Sequence, residues 1–207
     1  MLAEKKAMFA IPVIKVRLPE HEALKEQYLP EMLRRYEVGD FEKPEFWETD
    51  RVHSSFSTPI KNAVINSMPP PYQKLISDYV HAEKFTVHVW HNVYWRNNEY
   101  QERHHHIPDH LSLIHFLAFD PTEHKPPVFY DPARQIKAYC AHNALAKDMF
   151  EELAVQEVGG SDKAQIEVDE GDVLIFPSYL EHRVPSGEYK KPRVTVSMNV
   201  TLFTHTS

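Results

Sequence analysis

The 207 residues carry 23 Lys and Arg against 30 Asp and Glu, a formal net charge of -7, with 42% hydrophobic and 26% charged residues; that make-up is expected of one soluble domain with a sizeable core. No Lys or Arg cluster offsets the acidic balance, so a nucleic-acid partner is not expected. The five glycines, Gly39, Gly159, Gly160, Gly171 and Gly187, fit neither G-x-G-x-x-G nor G-x-x-x-x-G-K, and G-x-S-x-G and H-E-x-x-H are absent, which argues against dinucleotide, P-loop, nucleophile-elbow and zincin chemistry.

Residues 1 to 16 hold a short apolar stretch broken by Pro12, too brief for a membrane span and without a cleavage pattern, so neither a membrane partner nor export is expected. Residues 19 to 37 read as a helix with Leu24, Tyr28, Leu29, Met32, Leu33 and Tyr36 on one stripe. Pro30 suggests a break or a second start, and Gly39 ends it. Residues 41 to 69 read as irregular structure with a short helix around 60 to 67, and no chemistry is placed there. After Pro69 to Pro71, the spacing of Tyr72, Leu75, Ile76, Tyr79 and Val80 predicts a helix packed on a core.

From Phe85 the period changes to two. Phe85, Val87, Val89, Val93 and Trp95 share one face, and Thr86, His88, Trp90, Asn92, Tyr94 and Arg96 the other. Strands are also predicted over Leu111 to Phe119 (apolar on both sides), Pro127 to Tyr130, Ile166 to Val168, Val173 to Phe176 and Arg193 to Leu202. A helix over Asn143 to Gln156 is inserted among them. In the last strand Val194, Val196, Met198, Val200 and Leu202 oppose Arg193, Thr195, Ser197, Asn199 and Thr201. That polar face is either solvated or turned into a wet cavity, as in a ligand-holding jelly roll. The pattern reads as mainly β with flanking helices, a cupin-like jelly roll being one of the two readings above. Residues 1–84 are then expected to form a helical and irregular segment packed on the barrel, and 85–207 the barrel itself with a helical insert around 143–156.

Histidine is abundant: 14 in all, with His81, His88, His91, His104, His105, His106 and His110 inside thirty positions. His104 and His106 lie two apart before a strand, so extended backbone projects both imidazoles to one face. His182, after a glycine turn, an apolar strand and Pro177, is the third candidate. Non-haem iron needs three protein ligands on one face of its octahedron, leaving positions for substrate and oxygen. For H-x-H alone, a surface histidine cluster is the commoner outcome. His105 is expected to point away, and His110 and His115 to serve as core or hydrogen-bonding groups. Asp131 is expected to fix the turn before Pro132. His81-Ala82-Glu83, on a helix, points its two side chains apart and is assigned no metal. The lone Cys140 reads as a small buried hydrophobe, and it excludes a disulfide framework or Cys-rich zinc site; a reducing, cytoplasmic compartment fits best.

Several stretches carry a resemblance: Asn92-Val93-Tyr94; Tyr100-Gln101-Glu102-x-His104-x-His106; Phe129-x-Asp131-Pro132; and Gly171-Asp172 through Phe176-Pro177-Ser178-x-Leu180-x-His182-x-Val184-Pro185 to Arg193-Val194-Thr195-Val196-Ser197. In them the chain resembles the 2-oxoglutarate and Fe(II)-dependent oxygenases and, within these, a family common in marine bacteria and phages. The resemblance implies a double-stranded β-helix with Fe(II) on His104, His106 and His182. It also implies that Arg193 pairs with the distal carboxylate of 2-oxoglutarate, with Thr195 in the hydroxyl position two residues on and O2 as co-substrate. A guanidinium suits that carboxylate because its planar fork binds bidentately. Asn92 and Tyr94 are candidates for co-substrate contact or for structural hydrogen bonds.

The implied reaction decarboxylates 2-oxoglutarate to succinate and hydroxylates an unidentified small molecule or peptide. His106 stands where the wider superfamily has Asp or Glu, so a three-histidine cupin thiol dioxygenase and a non-catalytic metal- or ligand-binding cupin remain as alternatives. A homodimer is left open.

Overall fold

Two antiparallel sheets pack together in the computed structural model, which describes residues 11–40, 47, 50–79, 84–133 and 163–203. In chain order the strands are β1 (Ile14–Arg17), β2 (His53–Ser54), β3 (Lys84–Tyr94), β4 (Gln101–His104), β5 (Leu111–Ala118), β6 (Val128–Tyr130), β7 (Lys163–Gln165), β8 (Asp172–Pro177), β9 (His182–Val184) and β10 (Arg193–Phe203). Helices α1 (His21–Val38) and α2 (Pro70–Tyr79) lie among them. The larger sheet runs β1-β8-β5-β10-β3-β2 and the smaller β4-β9-β6-β7. This is the double-stranded β-helix expected from the resemblance.

The two faces of the larger sheet explain its sequence. Val93, Leu113, Val173, Val194, Val196, Met198 and Val200 turn outward against Leu24, Met32 and Tyr36 of α1 and Tyr72, Leu75 and Ile76 of α2. Ile114, Phe116, Leu174 and Phe176 turn inward against Phe129 of the smaller sheet. Strands β5 and β8 are therefore apolar on both faces, as buried strands must be. By contrast β3 and β10, paired from Arg193↔Tyr94 to Phe203↔Lys84, send a polar row inward.

Four expectations need correction. Pro30 does not break α1, because Pro30 and Glu26, whose carbonyl loses its helical donor, both face solvent, while Leu24, Met32 and Tyr36 hold the helix on either side. Gly39 ends it in the left-handed region (φ +72°), with its N–H on the Tyr36 carbonyl and the Asp40 N–H on that of Arg35. The helix around 60 to 67 shrinks to one 3-10 turn, Ile60–Asn62, and the segment read as irregular contributes β2. The strand at 166–168 lies instead at Lys163–Gln165. Gln165 pairs with Val128, and the next partner would be Pro127, which has no N–H to extend the ladder. The helix at 143–156, Cys140 and His81 to Glu83 lie outside the described residues. Among those described, no helix is long and apolar enough to cross a membrane.

Candidate active site

Strands β4 and β9 are neighbours, and His104 and His182 are register partners. His106 follows β4, its N–H donating to the Ser178 carbonyl at 2.8 Å. The three imidazoles meet: ring centroids are 4.4 Å apart for His104–His182, 5.0 Å for His104–His106 and 5.2 Å for His106–His182. One ring nitrogen of each lies within 4.8 Å of the others. His104 Nδ1 sits 2.6 Å from the Glu102 carbonyl and His182 Nδ1 3.0 Å from the Leu180 carbonyl. A carbonyl only accepts, so each Nδ1 carries the proton and each Nε2 keeps its lone pair for a metal.

Burial, reinforced by the neighbouring imidazoles, holds His182 well below the usual histidine range and His106 at about 3; burial also lowers His104. Three neutral nitrogen donors on one side of a cavity fit Fe(II). Phe176 and Phe129 wall His182, with centroids at 5.0 and 5.9 Å, and Trp90 lies against His106 at 5.7 Å.

The same cavity reaches across to the larger sheet, where its lining includes Asn92, Tyr94, Arg193 and Thr195. Arg193 opens β10 and is 1% exposed. Its guanidinium carbon stands 4.8 Å from the Tyr94 ring centre, 5.8 Å from that of Phe116 and 5.7 Å from that of Phe119. Nε and Nη1 are buried without a hydrogen-bond partner. Burial lowers the Arg193 pKa, but guanidinium remains charged at any ordinary pH. A buried cation with unmatched donors and, among the described residues, no paired carboxylate fits an anionic ligand of planar geometry.

Tyr94 donates its hydroxyl to Gln101 Oε1 at 3.1 Å, and Asn92 Nδ2 donates to Ser197 Oγ at 3.4 Å. Thr195, two residues along β10 from Arg193, is buried beside Asn92, its register partner. All seven residues singled out from the sequence, His104, His106, His182, Arg193, Thr195, Asn92 and Tyr94, thus line one cavity.

Other histidines lie elsewhere. His105 is exposed and its Nδ1 accepts from the Ile107 N–H; His110, also exposed, accepts from the Leu202 N–H. His115 is buried and bonded to Tyr72 and His21. Asp131 accepts from the Ala133 N–H at 2.8 Å, closing the turn at Pro132. Near His21, Glu22 and Glu170 could also approach a cation, but the Lys25 ammonium already sits on Glu170. Sequence reasoning assigned no role to Trp90, Gln101, Ser112, Ser197 or Asn199, which share the lining. For Trp90, Ser197 and Asn199 the two-residue period was the available signal.

The sequence model of the family described as "Putative 2OG-Fe(II) oxygenase" matches residues 88–199. None of the curated proteins matches the chain. Among solved structures, a Pseudomonas putida prolyl-4-hydroxylase is similar at 12% identity and TM-score 0.57, covering 91% of this chain and 92% of that one. A Trichoplax adhaerens prolyl hydroxylase, in complex with a hypoxia inducible factor oxygen degradation domain peptide fragment, is similar at 11% identity and TM-score 0.59, covering 91% and 83%. SnoN, a non-heme alpha ketoglutarate dependent epimerase from nogalamycin biosynthesis, is similar at 10% identity and TM-score 0.63, covering 92% and 78%.

Proposed function

Because the chain belongs to this 2OG-Fe(II) oxygenase family, we propose that His104, His106 and His182 hold its Fe(II) and that Arg193 holds its 2-oxoglutarate. The enzyme couples 2-oxoglutarate decarboxylation with oxidation of a second substrate, and the bound metal and O2 supply the oxidising chemistry. The observation that carries the residue assignment is the pair of unmatched Arg193 nitrogens, buried in the cavity that the three imidazoles close at its other side.

Each residue then has a task. The carbonyls of Glu102 and Leu180 hold the protons of His104 and His182 on Nδ1, so the donor nitrogens are preset. Arg193 binds the distal carboxylate, and the rings of Tyr94, Phe116 and Phe119 keep its head group from turning away. Thr195 offers a hydroxyl on the same face two residues on, and Asn92 a neighbouring amide. The Phe129 and Phe176 rings exclude water behind His182. The acidic balance supports a small molecule or a peptide over nucleic acid as the second substrate, and the single cysteine supports a cytoplasmic setting.

Anaerobic Fe(II) titration with and without 2-oxoglutarate tests this reading. A visible charge-transfer band should need both. His182→Ala should bind little iron, whereas Arg193→Met should keep its iron and need far more 2-oxoglutarate. Stoichiometric iron in a folded His182→Ala protein would refute the ligand set. Oxidation of a small thiol without succinate would favour a thiol dioxygenase.

A further inference from the structure

On the inward face of β3, Tyr94, Asn92 and Trp90 follow one another two residues apart, opposite Arg193, Thr195 and Ser197 of β10. The step from the Tyr94–Arg193 pair to the Trp90–Ser197 pair is four residues, about 13 Å of strand at ~3.3 Å per residue. The end carbons of an extended five-carbon dicarboxylate are only about 5 Å apart when its C–C bonds are ~1.5 Å. With its distal carboxylate on Arg193, whose head group stays at the level of Tyr94, the co-substrate covers less than half of that step along the strands.

Trp90 nevertheless lines the cavity. It is 3% exposed, and its indole Nε1 is buried without a hydrogen-bond partner. A buried donor in that condition calls for an acceptor from outside the chain.

The surroundings limit what that acceptor is. Arg193 is the single formally charged side chain among the described lining residues, and the co-substrate occupies it. Asp109, which is not among the lining residues, already accepts from Asn199 Nδ2 at 3.0 Å and from Thr201 Oγ1 at 2.5 Å. Among the described lining residues no other charged side chain remains to pair with an ion. Phe56 meets the Trp90 ring at 5.0 Å and His88 at 4.7 Å; Phe56 is half-buried and His88 exposed, so the rings step outward from His106 to solvent. Such a shelf favours flat or CH-rich groups.

We propose that the Trp90 indole N–H selects and orients the second substrate by donating to an uncharged amide carbonyl, carried on a flat or CH-rich group that lies against Trp90 and Phe56. The proposal rests on Arg193 holding 2-oxoglutarate. It makes Trp90 a specificity-determining residue for the reaction.

The test uses the whole chain with Zn(II) in place of iron, saturating 2-oxoglutarate and ¹⁵N-labelled tryptophan. The three indole resonances are assigned with Trp47→Phe, Trp90→Phe and Trp95→Phe. Titration with 1-methyl-2-pyrrolidinone, a neutral amide on a CH-rich ring, should move the Trp90 indole proton downfield in a saturable way and slow its exchange with water. Butyrate and N-methylpyrrolidinium should not. Trp90→Phe should bind 2-oxoglutarate within about twofold of wild type.

A Trp90 resonance indifferent to the amide overturns the proposal, and this needs no folded Trp90 variant because Trp47→Phe and Trp95→Phe assign it by elimination. A tenfold loss of 2-oxoglutarate affinity in a folded Trp90→Phe protein also overturns it, by placing Trp90 in the co-substrate site. The underlying reading is checked apart: unchanged 2-oxoglutarate affinity in Arg193→Met would defeat that reading, whatever the amide does at Trp90.

Discussion

Arg193 is enclosed by Tyr94, Phe116 and Phe119, with two guanidinium nitrogens left unmatched. Keeping a cation in that condition costs several kcal/mol, and a hydrogen-bonded carboxylate offsets much of it. Two opposite effects of Arg193→Met follow. Without ligand the variant should unfold at the same temperature as wild type or higher, since an uncompensated buried charge has been replaced by an apolar chain of similar length. With ligand it should lose about 2 to 5 kcal/mol of 2-oxoglutarate binding, as expected when one partner of a buried charge pair is removed. Thermal melts across a 2-oxoglutarate series check both: the wild-type midpoint should climb with ligand concentration, and the variant midpoint should stay flat. A variant less stable without ligand, yet still raised by 2-oxoglutarate, would show that the carboxylate is held elsewhere.

Between elements, a buried polar chain ties both helices to the barrel. The hydroxyl of Tyr72 on α2 lies 2.7 Å from His115 Nδ1 on β5, and His115 Nε2 lies 3.0 Å from Nδ1 of His21 on α1. Burial, then His21 and Arg17, push the His115 pKa down to about 3. In the unfolded chain it returns to about 6.5, so there the unfolded state binds the proton more readily. This contribution is therefore complete above about pH 6.5 and is lost as pH falls towards 3, at up to ~1.4 kcal/mol per pH unit. Urea unfolding from pH 7.5 to 5.0 should show stability falling with acid, and His115→Gln should flatten that slope by roughly one proton's worth; an unchanged slope would mean that His115 titrates normally.

The chain was legible here in proportion to how regular each face is. The alternation of Val194, Val196, Met198 and Val200 against Arg193, Thr195, Ser197 and Asn199 revealed β10 but left its polar face either solvated or in a cavity, and it took the resemblance to choose His104, His106 and His182 together. The hydrogen bonds joining His21, Tyr72 and His115 were not readable, since they bring together residues up to 94 apart in the chain. The edge strand β7 was misplaced because what ends it is Pro127, just before β6 and far from β7 in the chain, and β2 is only two residues long, too short for any period.

At the scale of the molecule, the site is divided between the sheets. His104 and His182 belong to the smaller sheet and His106 to the turn leaving it, whereas Arg193, Thr195, Asn92 and Tyr94 belong to the larger. Two apolar clusters, around Met198 and Tyr72 and around Phe176 and Phe129, pack the elements together without the metal, although Phe176 and Phe129 also touch His182. Removing metal with a chelator should therefore leave cooperative unfolding and near-ultraviolet dichroism in place and lower the melting midpoint only by the lost ligation; loss of the tertiary signal would show that the metal is needed to hold the sheets. On the proposed assignment the co-substrate is held from both sheets. A dicarboxylate seated on Arg193 and reaching towards the imidazoles becomes a strut across the gap, so metal and 2-oxoglutarate together should slow deuterium uptake at amides on both banks, β9 as well as β10, more than the two effects added separately.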